Sequence, residues 1–216
     1  DVTSETGEIN LSATSTVRNI NAGIYTNKKN DIRGTVTLHS NTNISAVTAG
    51  VQTDSGDVIF DKNVTVTEAE KGLLAKNTGT ITVGGNANLT SLQTNILANN
   101  ATVTVGGNAD LTSSGNGIEA YTGIVTVGGN ISSTASQTNI LANNATVTVN
   151  GDANLTEAET NVAADNSKVT VGGDANLTAS DTNIAANTST VSIGGTANLA
   201  SSKTNVAADN ATVTVN

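Results

Sequence analysis

The chain contains no cysteine, proline, methionine or tryptophan. Without cysteine it has neither a disulfide framework nor a thiolate metal site, and its one histidine, His39, cannot complete a histidine-rich zinc site. No run of about 18 apolar residues is present, so nothing in the sequence predicts a membrane-spanning helix. Because an initiating methionine and an apolar secretory segment are both missing, we expect a processed chain or an excised fragment.

Aromatic and basic residues are scarce. The aromatics in the 216 residues are Tyr25, Phe60 and Tyr121. Nine basic residues oppose eighteen acidic ones, which gives a net charge of −9, and seven of those nine basic residues lie at or before Lys76. An acidic surface repels phosphate backbones and anionic lipid. We therefore expect no nucleic-acid partner and no direct insertion of this segment into a membrane.

A repeat of about 22 residues runs through the chain instead. Each unit contains three apolar pairs with i, i+2 spacing, such as Ile81/Val83, Ala87/Leu89 and Ile96/Ala98. This spacing is typical of strands with one buried face, so three short strands are predicted per unit. The first pair recurs, at intervals of 27, 22, 23 and then six times 22 residues, at Ile9/Leu11, Val36/Leu38, Val58/Phe60, Ile81/Val83, Val103/Val105, Val125/Val127, Val147/Val149, Val169/Val171, Val191/Ile193 and Val213/Val215.

Glycine and asparagine mark the corners between the strands. Gly-Gly or Asn-Gly follows the first strand in most units and predicts a bend there. A second column, fourteen residues after each repeat start, predicts a tight bend with positive φ, because glycine and asparagine tolerate the left-handed region best. Its members are Gly23, Gly50, Gly72, Asn95, Gly117, Asn139, Asn161, Asn183 and Asn205.

Three strands and three corners per unit predict an all-β fold, a right-handed parallel β-helix of about nine turns that spans residues 1–216 as one solenoid. A left-handed β-helix is the structural alternative, but the period of 22 and the three unequal sides disfavour it. The long first interval contains a charged segment at about 27–34, which predicts a loop insertion outside the coil. The lack of proline is consistent with unbroken parallel ladders, in which every central strand needs its N–H groups.

Two blocks recur unchanged two turns apart. Residues 94–105 are identical to residues 138–149, and residues 160–166 are identical to residues 204–210. Both pairs are separated by 44 residues. Duplication of two-turn blocks suits a rod of adjustable length better than a fixed active site.

Few residues could carry catalysis. His39 takes a corner position, where we expect it to be exposed, and a Ser-His-Asp arrangement would have to use it. Paired carboxylates occur at Asp54/Asp57, Glu68/Glu70 and Glu157/Glu159, and we interpret them as solvated corner residues rather than an acid/base pair. No catalytic residue, cofactor site or metal site is therefore predicted.

The outward positions form polar columns that we regard as the candidate interaction surface. Thr-x-Thr pairs flank the first Val of most units, and a column of Asn lies on the second strand. These columns carry β-propensity and solubility, but they also offer repeated contacts. With the basic insertion they give the candidate contact residues Lys28, Lys29, Arg33, Thr102, Thr104, Thr146, Thr148, Asn154, Asn176 and Asn198.

Turns of the form V-T-V-G-G-N-A-N-L-T followed by T-N-I-x-A-N-N resemble the passenger domains of bacterial autotransporters (type V secretion) and related large repeat surface adhesins. The resemblance covers about residues 9–216. It implies secretion, an extracellular position on the bacterial cell surface, and outer-membrane anchoring through flanking sequence. It also implies roles in adhesion, self-aggregation, biofilm formation and virulence.

We therefore predict a non-enzymatic surface adhesin or stalk segment that self-associates or binds a host or matrix glycan or protein. Two alternatives remain: a polysaccharide-processing β-helix enzyme, and an ice-binding solenoid that uses the Thr-x-Thr ladder. Because the terminal turn of a solenoid offers an unpaired edge, we also expect flanking sequence or another molecule to cover Val213 to Val215.

Overall fold

A computed structural model describes residues 2–5, 7–11, 15–19, 21–201 and 203–216. These residues form 25 strands and no helix. Each strand pairs in parallel with the equivalent strand of the next turn. Equivalent positions of the repeat therefore lie side by side, as Ile81 and Val103 do. The fold is a parallel β-solenoid of about nine turns with about 22 residues per turn, which confirms the predicted fold class. Within the described residues, no helix is long and apolar enough to cross a membrane.

The strands lie on three faces. The first face contains β2 (Gly7–Leu11), β5 (Ile32–Leu38), β8 (Asp57–Phe60), β10 (Thr80–Val83), β12 (Thr102–Val105), β15 (Ile124–Val127), β18 (Thr146–Val149), β20 (Lys168–Val171), β22 (Thr190–Ile193) and β25 (Thr212–Val215). The second face contains β3 (Ser15–Asn19), β6 (Thr42–Ala46), β13 (Ala109–Ser113), β16 (Ile131–Ala135) and β23 (Ala197–Ser201). The third face contains β1 (Val2–Ser4), β4 (Ala22–Lys29), β7 (Ala49–Asp54), β14 (Asn116–Tyr121), β17 (Thr138–Asn143) and β24 (Thr204–Asp209).

Four longer strands continue from the second face into the third: β9 (Val64–Lys76), β11 (Ala87–Asn99), β19 (Ala153–Asp165) and β21 (Ala175–Asn187). In these turns the structure has two strands where the sequence predicts three short ones. Backbone hydrogen bonds continue around the corner, as between Thr160 N–H and Gln137 O at 3.0 Å, so the strand does not end there. Two of the long strands accommodate an extra residue as a bulge at Glu68 or Glu157, which have φ of 65° and 63°.

The core is a narrow column of stacked aliphatic side chains. Both members of each apolar pair point inward, and Ile81, Val83, Leu89 and Ile96 have no exposed surface. Phe60 is the largest fully buried side chain. Continuous burial along the axis makes the hydrophobic effect the main stabilising contribution, at about 25 cal/mol per Å² of apolar surface removed from water.

The insertion between the first and second turns is a β-hairpin, where the sequence predicts a loop. Lys28 pairs with Arg33 and Lys29 with Ile32 in antiparallel register. Asn30 and Asp31 have φ of 53° and 63°, the left-handed values that a two-residue type I′ turn requires at both central positions. Asn and Asp tolerate these values, so the sequence of the turn accounts for its shape.

The predicted positive φ at the Gly/Asn column is wrong. Asn95, Asn139, Asn161 and Asn183 are fully buried and have negative φ. Their amides form an internal ladder in which each Nδ2 donates to the next Oδ1, at 2.7 Å from Asn139 to Asn161 and 2.7 Å from Asn161 to Asn183. A third bond of 2.8 Å joins Asn183 to Asn205. Asparagine occupies the column because its side chain is both donor and acceptor.

Glycine occupies the same column in turns where a side chain would not fit. A Cβ built on Gly50 would lie 2.3 Å from Val66 Cγ1, and one on Gly72 would lie 2.5 Å from Asn95 O. At Gly117 the ladder is interrupted. Asn95 Nδ2 and Asn139 Oδ1, on either side of it, are buried without a hydrogen-bond partner among the described residues.

Positive φ occurs at a different corner, between the third and first faces. Asn100 has φ of 51° and Asn144 of 49°, and every turn from the third onward has a similar value. The members of this left-handed column are Asn77, Asn100, Thr122, Asn144, Asn166, Thr188 and Asn210. Asparagine favours this backbone conformation, whereas β-branched threonine at 122 and 188 is strained in it.

At the Gly-Gly bend after the first strand, the backbones of neighbouring turns lie close together. A Cβ on Gly106 would lie 2.7 Å from Gly84 O, so neighbouring turns leave no room for a side chain. Directly beyond the bend, Asn86 Oδ1 accepts the Asn108 N–H at 2.9 Å, and Asn108 Oδ1 accepts the Asn130 N–H at 2.9 Å. Side-chain oxygens thus satisfy the corner N–H groups of the next turn.

Candidate functional site

The outer side of the first face carries a ladder of hydroxyl groups. Thr102, Thr104, Thr146 and Thr148 are half-buried and lie in register with the threonines of neighbouring turns. The ladder is interrupted where Asp57 and Ile59, Ile124 and Lys168 take threonine positions. The half-buried threonines alternate with fully buried valines, as the predicted outward orientation of the Thr-x-Thr pairs requires, and this gives the face a chemical repeat along the axis.

The second face carries the asparagine column. Asn154, Asn176 and Asn198 are exposed and occupy consecutive turns. Asn198 Nδ2 donates to Asn176 Oδ1 at 2.8 Å, so part of the hydrogen-bonding capacity is used within the column. The remaining amide groups point to solvent.

The basic hairpin is held against the solenoid by its own charges. Arg33 Nε and Nη2 donate to the Asp57 carboxylate at 2.9 and 2.6 Å, and Nη2 also donates to Thr78 O at 2.8 Å. Lys29 Nζ lies 3.3 Å from Glu5, and Lys28 Nζ lies 3.2 Å from Asp31. All three candidate basic residues therefore have acidic partners within the chain, and Arg33 positions the hairpin.

The carboxylates and the histidine that the sequence singled out lie in separate places. Asp57 binds Arg33, while Glu68 accepts a hydrogen bond of 2.5 Å from Ser45 Oγ. His39 is exposed, as predicted, and its Nδ1 lies 2.6 Å from Asp61 Oδ2. No group of three or more His, Cys, Asp or Glu side chains suited to a metal ion occurs in the part of the chain that the structure describes.

The turn that includes β14 departs from its two neighbours. Residues 94–105 and 138–149 are identical, yet residues 116–127 between them differ from both at seven of twelve positions. The inward residues Ile118, Ala120, Val125 and Val127 keep their apolar character and are fully buried. Apart from Gly117 and Gly123, the changes are on the outside, where the fold does not require them.

Glu119 is the most unusual of these outward residues. Its column on the third face is otherwise apolar from the fourth turn onward, with Leu97 before it and Leu141 after it. Glu119 Oε1 accepts hydrogen bonds from Thr94 Oγ1 at 2.8 Å and from Asn116 Nδ2 at 2.5 Å. Asn116 Oδ1 in turn accepts the Thr138 N–H at 3.0 Å. The half-buried carboxylate is therefore fixed in orientation.

Beside Glu119 lies a shallow polar groove of about 320 Å³. It is lined by Lys71, Gln93, Asn116, Glu119 and Gln137 among others. Lys71 Nζ donates to Gln93 Oε1 at 2.9 Å. The NH₂ group of Gln93 takes no part in this hydrogen bond.

No known protein family, curated protein or solved structure matches this chain. The resemblance to autotransporter passengers therefore stays a prediction, and any functional assignment depends on the surfaces described above.

Tyr121 is a further outward residue of the turn that includes β14. It follows Glu119 by two residues on the same side of β14, in a column where Asn99 and Asn143 are its neighbours. Burial raises the pKa of the Tyr121 phenol, and the negative charge of Glu119 raises it further. Across the corner, the Ile124 side chain is 49% exposed.

The repeat pattern did not predict this cluster, because its residues do not recur from turn to turn. An alignment of the turns by their inward pairs reveals it: residues 116, 119, 121 and 124 are among the seven positions at which the two identical blocks agree and the turn between them differs.

Proposed function

We propose that this chain is a non-enzymatic adhesive rod or stalk segment displayed on a bacterial cell surface. The observation that carries the proposal is the ladder of outward threonine side chains that recurs in most turns of the first face. Such a ladder repeats one weak contact about every 4.8 Å along the axis. A surface of this kind suits attachment by many equivalent contacts better than recognition at one deep site.

Multivalency gives such a rod its strength. When several weak contacts form on one rigid body, each later contact is intramolecular, and the overall affinity exceeds that of a single contact by about 10²–10⁴-fold. The partner of the rod is a second rod on a neighbouring cell, or a host or matrix glycan or protein. Extracellular display, anchored in the outer membrane through flanking sequence, would hold the ladders clear of the cell.

Surface display tests the proposal. Cells that carry residues 1–216 fused to an inert outer-membrane anchor should settle or attach to epithelial or matrix surfaces faster than cells with the anchor alone. A matched variant would replace Thr104, Thr126, Thr148 and Thr170 by lysine, which keeps the inward core and adds mutually repelling charges to the outer ladder. We expect that variant to lose aggregation while its circular dichroism is unchanged.

Equal settling and attachment by anchor-only cells and by cells with the intact rod would refute adhesion and leave a spacer. Aggregation that persists in the lysine variant would move the contact away from the first face.

A further inference from the structure

We propose that the outer side of β14, around Glu119 and Tyr121, is a binding site for a neutral saccharide. The inference rests on the proposed adhesive function and deepens it, because it names a ligand class and one place on the rod where that ligand is recognised.

The first reason is that chemically distinct groups are concentrated in a single turn. In the two outward columns that contain Glu119 and Tyr121, the other turns from the fourth onward carry Leu or Ala and Asn or Asp. In this part of the rod, a carboxylate, an aromatic ring and an additional amide occur together only between the identical blocks 94–105 and 138–149, at residues 119, 121 and 116. The inward residues of that turn stay aliphatic. Folding therefore explains the conserved interior pattern, but it does not explain the outward changes.

The second reason is that Glu119 is arranged as an acceptor for a ligand. Thr94 and Asn116 both donate to Oε1. Among the described residues no hydrogen bond to Oε2 is found, and Glu119 lines the polar groove. A carboxylate that is oriented in advance loses little entropy on binding, and charge-assisted hydrogen bonds to hydroxyl groups are stronger than neutral ones.

The third reason is the composition of the surroundings. Gln93 and Gln137 are exposed at the groove and supply amide groups that donate and accept. Tyr121 lies about 7 Å further along the strand, two residues from Glu119 on the same side. An aromatic ring offers an apolar face for the C–H groups of a pyranose ring, while the carboxylate and amides bind its hydroxyls. These distances suit a mono- or disaccharide unit.

Charge selects a neutral saccharide over an anionic one. The groove is lined by one carboxylate, Glu119, and one ammonium group, Lys71, which already donates to Gln93 Oε1 at 2.9 Å, so the groove itself has no net positive charge. From residue 77 onward two lysines stand against nine acidic residues, and this surrounding negative charge disfavours uronic acids, sulfated sugars and sialic acids. A protein partner is disfavoured because the site is small and polar, whereas stable protein interfaces bury about 800 Å² on each side around an apolar centre.

The test is binding of the intact chain to a panel of neutral oligosaccharides composed of glucose, galactose, mannose and N-acetylhexosamines. Saturation-transfer NMR would identify binders, and calorimetry would give the affinity. The chain's own repeats supply the variants: Glu119→Leu restores the residue found at 97 and 141, and Tyr121→Asn restores that found at 99 and 143. The matched control is Asn143→Ala, one turn away in the column of Tyr121.

We expect at least one neutral saccharide to bind, and each of the two restoring variants to weaken it about 10- to 100-fold, because a hydrogen bond to a charged group or an aromatic contact is removed. Asn143→Ala should bind as the original chain does. Circular dichroism and thermal unfolding would establish that each variant keeps the fold.

The proposal is overturned if no neutral saccharide binds, if only anionic glycans or a protein bind, or if the double variant Glu119→Leu/Tyr121→Asn binds as well as the original chain. Its failure is distinguishable from failure of the adhesive function. Cells that display the double variant and still aggregate would retain the adhesive rod, with its contacts on the ladders and not at β14.

Discussion

Asparagine occupies three different environments in the solenoid, and each uses a different property of the residue. Asn161 lies inside the coil, where its amide is donor and acceptor in the internal ladder. Asn108 lies at the bend after the first strand, where its side-chain oxygen accepts a backbone N–H. Asn144 has φ of 49°, which its short polar side chain tolerates. One residue type thus stabilises the interior, one bend and one corner.

The first prediction at the residue scale concerns Thr188, whose φ of 50° is strained for a β-branched residue. Thr188→Asn should raise the free energy of unfolding by about 0.5–1 kcal/mol, because asparagine adopts the left-handed conformation at lower cost. Urea unfolding followed by circular dichroism measures the change. Thr190→Asn is the control, since residue 190 lies in β22 and gains nothing from the substitution. A decrease in stability for Thr188→Asn would contradict the argument.

A second residue-scale prediction follows from the raised pKa of Tyr121. In a Tyr25→Phe background Tyr121 is the only tyrosine, and its absorbance should report a pKa above the ordinary 10.0. Because the native phenol binds its proton more tightly than the unfolded one, its contribution to stability is present below pH 10.0 and is lost as the pH rises through the native pKa. Glu119→Gln should lower that pKa but keep it above 10.0, since burial is the larger cause. An unchanged pKa would mean that Glu119 and Tyr121 do not interact.

At the scale of strands and corners, the sequence predicted the interior better than the corners. Inward i, i+2 pairs such as Ile96/Ala98 determine both strand position and register, so the parallel ladders were predictable. Gly and Asn exchanging at one position, as at Gly117 and Asn139, is compatible with two explanations. Either the backbone has positive φ, or the side chain is inside and an amide is tolerated. Only the burial of Asn139 decides between them. The outward cluster at β14 was not predicted, because its residues occur in a single turn and the prediction depended on residues that recur in every turn.

The internal ladder leads to a prediction at this scale. Asn161→Ala should lower the free energy of unfolding by about 2–3 kcal/mol, because it removes two buried hydrogen bonds and leaves Asn183 Oδ1 without a donor. Asn154→Ala, in the exposed outer column seven residues before Asn161, should change the free energy of unfolding by less than about 0.5 kcal/mol. Urea unfolding compares the two. Equal effects would show that the buried ladder contributes nothing beyond surface asparagine.

The hairpin offers a second prediction for an element. Arg33→Ala leaves the Asp57 carboxylate without its bidentate partner, so we expect faster hydrogen exchange for residues 28–33 and faster proteolysis there, with the rest of the coil unchanged. Arg33→Lys should restore protection only in part, because lysine cannot donate in a planar fork. The control Lys28→Ala removes an exposed ion pair and should have little effect. Unaltered exchange in Arg33→Ala would mean that the backbone pairing of the hairpin is sufficient to hold it.

For the whole molecule, each turn contacts the turn before it and the turn after it, so stability is approximately a sum over turns and their interfaces. Residues that are 44 positions apart in the sequence occupy equivalent places two turns apart. On the third face, for example, Thr138 pairs with Thr160, and Thr160 pairs with Thr182. The length of the rod is therefore free to change in whole turns, while a fraction of a turn would place inward residues outside.

Deleting residues 138–181 tests this directly, because it joins Gln137 to Thr182 and keeps every inward column. Asn139 of the internal ladder is replaced by Asn183, and β15 would pair with β22 in the register it now has with β18. We expect a folded rod that is shorter by about 9.6 Å, two strand spacings, with a urea m-value reduced roughly in proportion to its length. Small-angle scattering and urea unfolding measure both quantities. Deleting residues 138–170, one and a half turns, is the matched control: it joins Gln137, after the second face, to Val171 at the end of first-face strand β20, so that the third-face strand is missing and apolar residues are exposed. That variant should aggregate or unfold, and a well-folded product from it would mean that register between turns is not what specifies the solenoid.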